Sequence, residues 1–144
     1  MIFKETLPLN VPTNLKSLWQ ALWERVENPA LFLAALESFV IVEKKTDAIY
    51  RRLHFPEQIV RDIVRWENEK WLCFDVIPSG KSISGNLKIE ILGDEQNGFS
   101  ICFTYQILDH SSENAHLESY IQSAYHHANL DQMKRLEQLC QTPN

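Results

Sequence analysis

Between Ser38 and Asp109 almost every stretch alternates apolar and polar side chains with a period of two, and the breaks are only a few residues long. Six segments read as strands: Ser38 to Thr46, Ala48 to Phe55, Gln58 to Asn68, Lys70 to Ile77, Ser82 to Asp94 and Gly98 to Asp109. Turn-forming residues separate them at Thr46-Asp47, Pro56-Glu57, Asn68-Glu69, Pro78-Ser79-Gly80 and Asp94-Glu95-Gln96-Asn97-Gly98. Parallel neighbours need a crossover of about a dozen residues or more, so connections this short dictate antiparallel hairpins. Alternation is clearest in the last two segments. Ile83, Gly85, Leu87, Ile89 and Ile91 share one face, as do Phe99, Ile101, Phe103, Tyr105 and Ile107. The chain must therefore build a meander with one apolar face, and another element must cover that face.

The flanks supply the cover. Ile2 to Leu9 is extended in character, with Phe3, Leu7 and Leu9 on odd positions. From Leu15 the period changes: Leu15, Leu18, Trp19, Leu22, Trp23 and Val26 fall within an arc of about 140° on a helix, with Lys16, Gln20, Glu24 and Glu27 on its flank and far side. Thr13 or Asn14 can cap its first turn, and Asn28-Pro29 ends it. Pro29 suits the first turn of a second helix through Leu36, short and nearly all apolar, which should be well covered. Ser112 to Gln141 reads as a long helical region. Leu117, Tyr120, Ile121, Ala124, Tyr125 and Ala128 make one stripe; Met133, Leu136, Leu139 and Cys140 make another, rotated from the first, and Leu130 falls outside both. A bend or an interruption near Asn129-Leu130-Asp131, or the slow drift of a curved helix, accounts for the offset. The expected fold is α+β: a curved seven-stranded antiparallel sheet wrapped on the C-terminal helix, with two short helices between the first two strands. No linker or internal repeat divides the chain, so residues 1–144 are expected to form one domain.

At this length, with 44% of 144 residues apolar, a core forms without disulfides or metal. A net charge of −5 argues against a protein that grips nucleic-acid phosphates. Cys73, Cys102 and Cys140 are far apart and odd in number, which fits buried thiols in a reducing compartment. No signal-peptide pattern opens the chain, and no apolar run approaches the ~20 residues needed to span a bilayer. The expectation is a cytoplasmic protein with no membrane insertion.

Several short motifs carry a resemblance. Leu9-Asn10 is followed by Leu18-Trp19 and Glu27-Asn28-Pro29; Tyr50-Arg51-Arg52 leads the third strand; Phe103-Thr104-Tyr105 lies in the last; and Tyr120 to Leu136 forms the terminal helix. With this order of elements the chain resembles the AtaL-like family of the START-like (SRPBCC) helix-grip superfamily. The resemblance runs nearly end to end, and Asn28-Pro29 after the tryptophan-bearing helix is its most specific point. It implies a curved sheet and long helix enclosing an apolar cavity. It implies no fixed reaction, because the superfamily includes carriers, cyclases, hydroxylase subunits and chaperone regulators.

Polar residues on apolar strand faces mark the candidate site. Arg51 shares a face with Ile49, Leu53 and Phe55, and Asp62 shares one with Val60, Val64 and Trp66. If Pro56-Glu57 is a two-residue hairpin loop, Phe55 pairs with Gln58 and Arg51 lies opposite Asp62. A loop two residues different sets Arg51 against Val64 instead. Such a pair either anchors the anionic end of an apolar ligand or is purely structural. Trp66, Phe103, Tyr105 and Tyr120 complete the candidate ligand-binding set, with Tyr125 beside Tyr120 on the last helix. Trp19 and Trp23 are expected in the core.

His54, His110, His116, His126 and His127 lack the spacing of metal ligands, and His126, opposite the apolar stripe, is expected in solvent. Ser79-Gly80-Lys81-Ser82 lacks the first glycine of a phosphate loop and reads as a hairpin loop. No nucleophile elbow or dinucleotide fingerprint occurs, so no cofactor is expected and no catalytic residue is assigned. The leading expectation is binding of a small hydrophobic molecule, with an anionic or hydrogen-bonding end, between sheet and last helix. A cyclase or dehydratase acting on a polyketide-like ligand in the same cavity is the alternative, and a protein-binding accessory module, with self-association open, is the third.

Overall fold

The computed structural model describes residues 1–78, 85–107 and 115–141. Seven strands, β1 (Ile2–Pro8), β2 (Ser38–Lys44), β3 (Ile49–Phe55), β4 (Gln58–Glu67), β5 (Trp71–Val76), β6 (Gly85–Asp94) and β7 (Gly98–Ile107), form one antiparallel sheet. Its order is β1-β7-β6-β5-β4-β3-β2, so each hairpin partner is a neighbour and the first strand closes against the last. Helix α1 (Leu15–Glu27) carries the chain from one sheet edge to the other, and α2 (Ala115–Gln141) ends it. The α+β architecture expected from the period-two run is the one observed. Ser79-Gly80-Lys81-Ser82, the outer end of the sixth expected strand, and Asp109 and His110 lie outside the described residues.

The core sits between the concave sheet face and the two helices. Leu18, Leu22 and Val26 of α1 meet Val64, Leu72, Ile89, Ile101 and Phe103 of the sheet and Met133 and Leu136 of α2, all buried. Asn14 caps α1, its side-chain oxygen accepting from Ser17 N at 2.8 Å. At the β6–β7 turn Gly93 has φ +89°, and a Cβ there would stand 2.2 Å from Gly98 O, so only glycine fits.

One expectation about the helices is corrected. The second helix is a single 3-10 turn, Pro29–Leu31, followed by irregular chain, and Leu31 is exposed. Its eight residues fall below the roughly 12–15 at which a helix sustains itself without packing, and Leu31, Ala34 and Ala35 are exposed. The terminal helix has no interruption at Asn129-Leu130-Asp131. Its buried face runs through Tyr125, Asn129, Gln132, Met133 and Leu136, with two amides continuing what looked like a gap between apolar stripes. Ala124 and Ala128 are exposed instead.

Candidate functional site

The β3–β4 turn sets the register. Phe55 pairs with Gln58, which makes Arg51 and Asp62 direct cross-strand partners. Both point inward, Arg51 at 2% and Asp62 at 3% exposure. Arg51 Nε donates to Asp62 Oδ1 at 2.9 Å and Nη2 to Oδ2 at 2.6 Å, a two-pronged ion pair. Nη1 of Arg51 donates to the carbonyls of Arg25 and Val26 at 3.0 and 3.1 Å. Those carbonyls belong to the last turn of α1, where backbone acceptors have no partner within the helix and the helix dipole favours a cation. One arginine thus ties β3, β4 and the end of α1 together.

A second arginine stands beside it. Arg25, on the buried face of α1, is 7% exposed and donates from Nε to Gln132 Oε1 on α2 at 2.7 Å. Its guanidinium lies 4.6 Å from the centre of the Phe74 ring, and that of Arg51 lies 5.1 Å from the same ring. Burial, then the neighbouring Arg51 charge, lowers the Arg25 pKa to about 10, so it stays cationic at neutral pH.

Tyr105 of β7 donates its hydroxyl to Asn129 Oδ1 at 2.5 Å, and Asn129 Nδ2 donates to Glu5 Oε1 on β1 at 3.0 Å. Tyr125 of α2 stacks on Tyr105 with ring centres 4.0 Å apart and planes within 7°. Burial pushes the Tyr105 hydroxyl up to about 12 and raises Tyr125. His126 is not free in solvent as expected: its Nδ1 pairs with Glu5 Oε2 at the outer end of this network, because α2 lies along β1 there.

These groups frame a cavity of about 550 Å³. Arg25, Arg51, Asp62 and Tyr105 form its polar end, and Leu33, Leu53, Phe55, Val60, Phe74, Val76, Leu87 and Ile107 form most of its wall, with Tyr125 over it. The volume falls in the range typical of small-molecule sites. Of the residues singled out in the sequence, Arg51, Asp62 and Tyr105 meet at this cavity. Trp66, Phe103 and Tyr120 do not line it. Trp66 shares the Asp62 face but lies farther along β4, under α1, with its ring 4.9 Å from Trp23 and edge-on to it; with Trp19 and Trp23 it lines a separate hollow. Phe103 is fully buried in the core between the sheet and the helices. Tyr120 is 73% exposed, on the part of α2 that precedes its buried face. Arg25, Phe74 and Gln132 went unnoticed in the sequence. Arg25 follows Leu18 by two helical turns and sits about 20° from it, just beyond the Leu18 edge of the apolar arc, which is the signal that marks it.

Leu130, the outlier of the last helix, is 38% exposed and lines a groove beside β1 with Leu7 and Met133. Among the described residues no three His, Cys, Asp or Glu side chains gather as a metal site, and no helix is long and apolar enough to cross a membrane.

No curated protein matches the sequence. The family model for AtaL, described as acetylaranotin biosynthesis cluster protein L, matches residues 5–142. Among solved structures, the di-domain ARO/CYC StfQ from the steffimycin biosynthetic pathway superposes with a TM-score of 0.73 at 12% identity, covering 96% of this chain and 50% of its own. This chain therefore spans about half the length of that neighbour. The Zhui aromatase/cyclase from a Streptomyces species gives 0.65 at 8% identity, over 95% of this chain and 90% of its own. The Aha1 dimer from Colwellia psychrerythraea gives 0.65 at 11%, over 95% and 96%. At these identities the likeness is one of fold. The family match covers nearly the whole sequence: the chain belongs to the AtaL family, and its fold is of the helix-grip type.

Proposed function

We propose that this protein binds a small, largely apolar molecule with one anionic or hydrogen-bonding end, held in the cavity between sheet, α1 and α2. The observation that carries the reading is the cavity itself: about 550 Å³, apolar along most of its wall, with its charged and hydroxyl groups gathered at one end. Apolar walls supply affinity, and a few placed polar groups supply orientation. Arg51, Asp62 and Tyr105 are the site residues of this reading, while Trp66 and Phe103 support the sheet behind them. The reading treats residues 1–144 as one domain, acting in the cytoplasm, with no cofactor.

The test is saturation binding of the apolar fluorophore anilinonaphthalene sulfonate to the folded protein. One site per chain is expected, and Val60→Trp, which places an indole in the cavity, should abolish it. Equal binding by the filled variant would overturn the reading.

A second reading takes its support from the aromatase/cyclase neighbours, StfQ and Zhui: an enzyme that cyclises or dehydrates a polyketide-like ligand in the same cavity. Tyr105 would be its proton donor, since burial keeps the hydroxyl protonated. Asp62, gripped at both oxygens by Arg51, is poorly placed as a base. Tyr105-dependent turnover of a poly-β-ketone would favour this reading over simple binding.

A further inference from the structure

Two guanidiniums and one carboxylate share the polar end of the cavity, and the protein neutralises only one of the two cations. Arg51 is satisfied from within: four hydrogen bonds go to Asp62 and to the carbonyls of Arg25 and Val26. Arg25 is not. Its one hydrogen bond is from Nε to the neutral Gln132, no carboxylate of the described residues reaches it within ion-pairing distance, and its two terminal nitrogens have no protein partner. The residue is nonetheless only 7% exposed, and it lines the cavity. No fully buried side-chain nitrogen among the described residues lacks a partner, so these terminal nitrogens are open to the cavity, where a bound anion can supply the counter-charge.

We propose that Arg25, and not Arg51, meets the charged end of the ligand, and that the ligand is a monoanion with an apolar body, a monocarboxylate in chemical class. This rests on the cavity being a binding site. A single charge follows from the count: two cations less one anion leave one positive charge. A second anionic group would lie against Asp62, the neutral amides Gln58, Asn86 and Gln106 or the apolar wall, none of which carries a positive charge to match it. A carboxylate follows from the donor geometry, because the two free terminal nitrogens of a planar guanidinium match its two oxygens. Phe74 holds the fork in place from below, and Gln132 fixes its Nε end, so the guanidinium is oriented before any ligand arrives.

Calorimetric titration of the full chain with three probes tests this. They are 2-naphthoate, its neutral isostere 2-naphthamide, and the dianion naphthalene-2,6-dicarboxylate. The acid should bind at least about tenfold more tightly than the amide, the contribution of a charge-assisted pair, and more tightly than the dianion. Arg25→Met should erase the preference for the acid, and Arg25→Lys should retain part of it. The comparison of probes on the unaltered chain needs no variant to fold. Equal affinity for acid and amide, tightest binding of the dianion, or a preference that survives in Arg25→Met would overturn the assignment and leave the cavity reading standing. Failure of all three probes to bind would overturn the cavity reading and the assignment with it.

Discussion

Arg51 on β3 and Asp62 on β4 face each other across the sheet, and their two-pronged ion pair is held in the cavity wall with both residues at most 3% exposed. The same guanidinium holds two carbonyls at the end of α1, so the pair also locks the helix to the sheet. Taking either member away leaves a buried, unpaired charge. Arg51→Met should therefore destabilise the protein by about 3–5 kcal/mol. Arg51→Met with Asp62→Leu should recover most of that loss but not all, because the α1 carbonyls would still lack a donor. Urea denaturation of the two variants checks it. Equal destabilisation in both would show that the charge pairing is not what matters.

Arg25 is expected to behave differently. Its charge has no counter-ion in the unliganded protein, so Arg25→Met should lower the unfolding temperature much less than Arg51→Met does, the cost being the Gln132 acceptor left without its donor. A melting curve by circular dichroism suffices. A drop as large as that of Arg51→Met would mean that the protein alone neutralises Arg25.

Asn129 joins Tyr105 of β7 to Glu5 of β1. Asn129→Leu would strand the Tyr105 hydroxyl, at a cost of about 1–3 kcal/mol. Adding Tyr105→Phe removes the stranded donor and should restore part of the stability. A double-mutant cycle by urea unfolding measures the coupling.

Tyr105 ionises near pH 12 in the folded chain, against 10.0 when unperturbed. Between those values the native state holds a proton that the unfolded state has released, so through this group stability falls as pH rises from 10 to about 12. Arg25 acts in the reverse sense. Its pKa of about 10 against 12.5 means the native state holds fewer protons across that window, and stability rises with pH. Tyr105→Phe should accordingly flatten the alkaline loss of stability, and Arg25→Met should steepen it. Spectrophotometric titration of tyrosinate should also lose its step near pH 12 in Tyr105→Phe.

How far these features were legible in the sequence depended on whether local chemistry fixed them. Alternation excluded a single-residue slip between β3 and β4, but only the observed two-residue turn at Pro56-Glu57 excludes the two-residue slip that would have set Arg51 against Val64. The stripe of α1 was equally local. What local pattern could not supply was distance along an element. Trp66 has the parity of Asp62, but how far α1 reaches over β4 is set by helix packing, and that put Trp66 against Trp23 instead of in the cavity. Tyr120 keeps the helical period of Tyr125 only loosely, and the part of α2 that carries it stands clear of the sheet.

The buried amides and Arg25 were missed for another reason. Asn129 and Gln132 follow Tyr125 by one and two turns, and Arg25 follows Leu18 by two; each occupies a core position of its helix. A reading that sorts polar residues onto the wet side passes over them. Polar groups at core positions need partners, and here the partners come from elements far off in sequence, which is why only the fold reveals them.

Whether the cavity takes an apolar monoanion at Arg25 is decided by a crystal structure of the protein grown with 2-naphthoate. The naphthalene rings should lie against Phe74 and Leu87, with the carboxylate within hydrogen-bonding distance of the terminal nitrogens of Arg25. Naphthoate bound only outside this cavity, or an interior closed over by its own side chains, would contradict that placement.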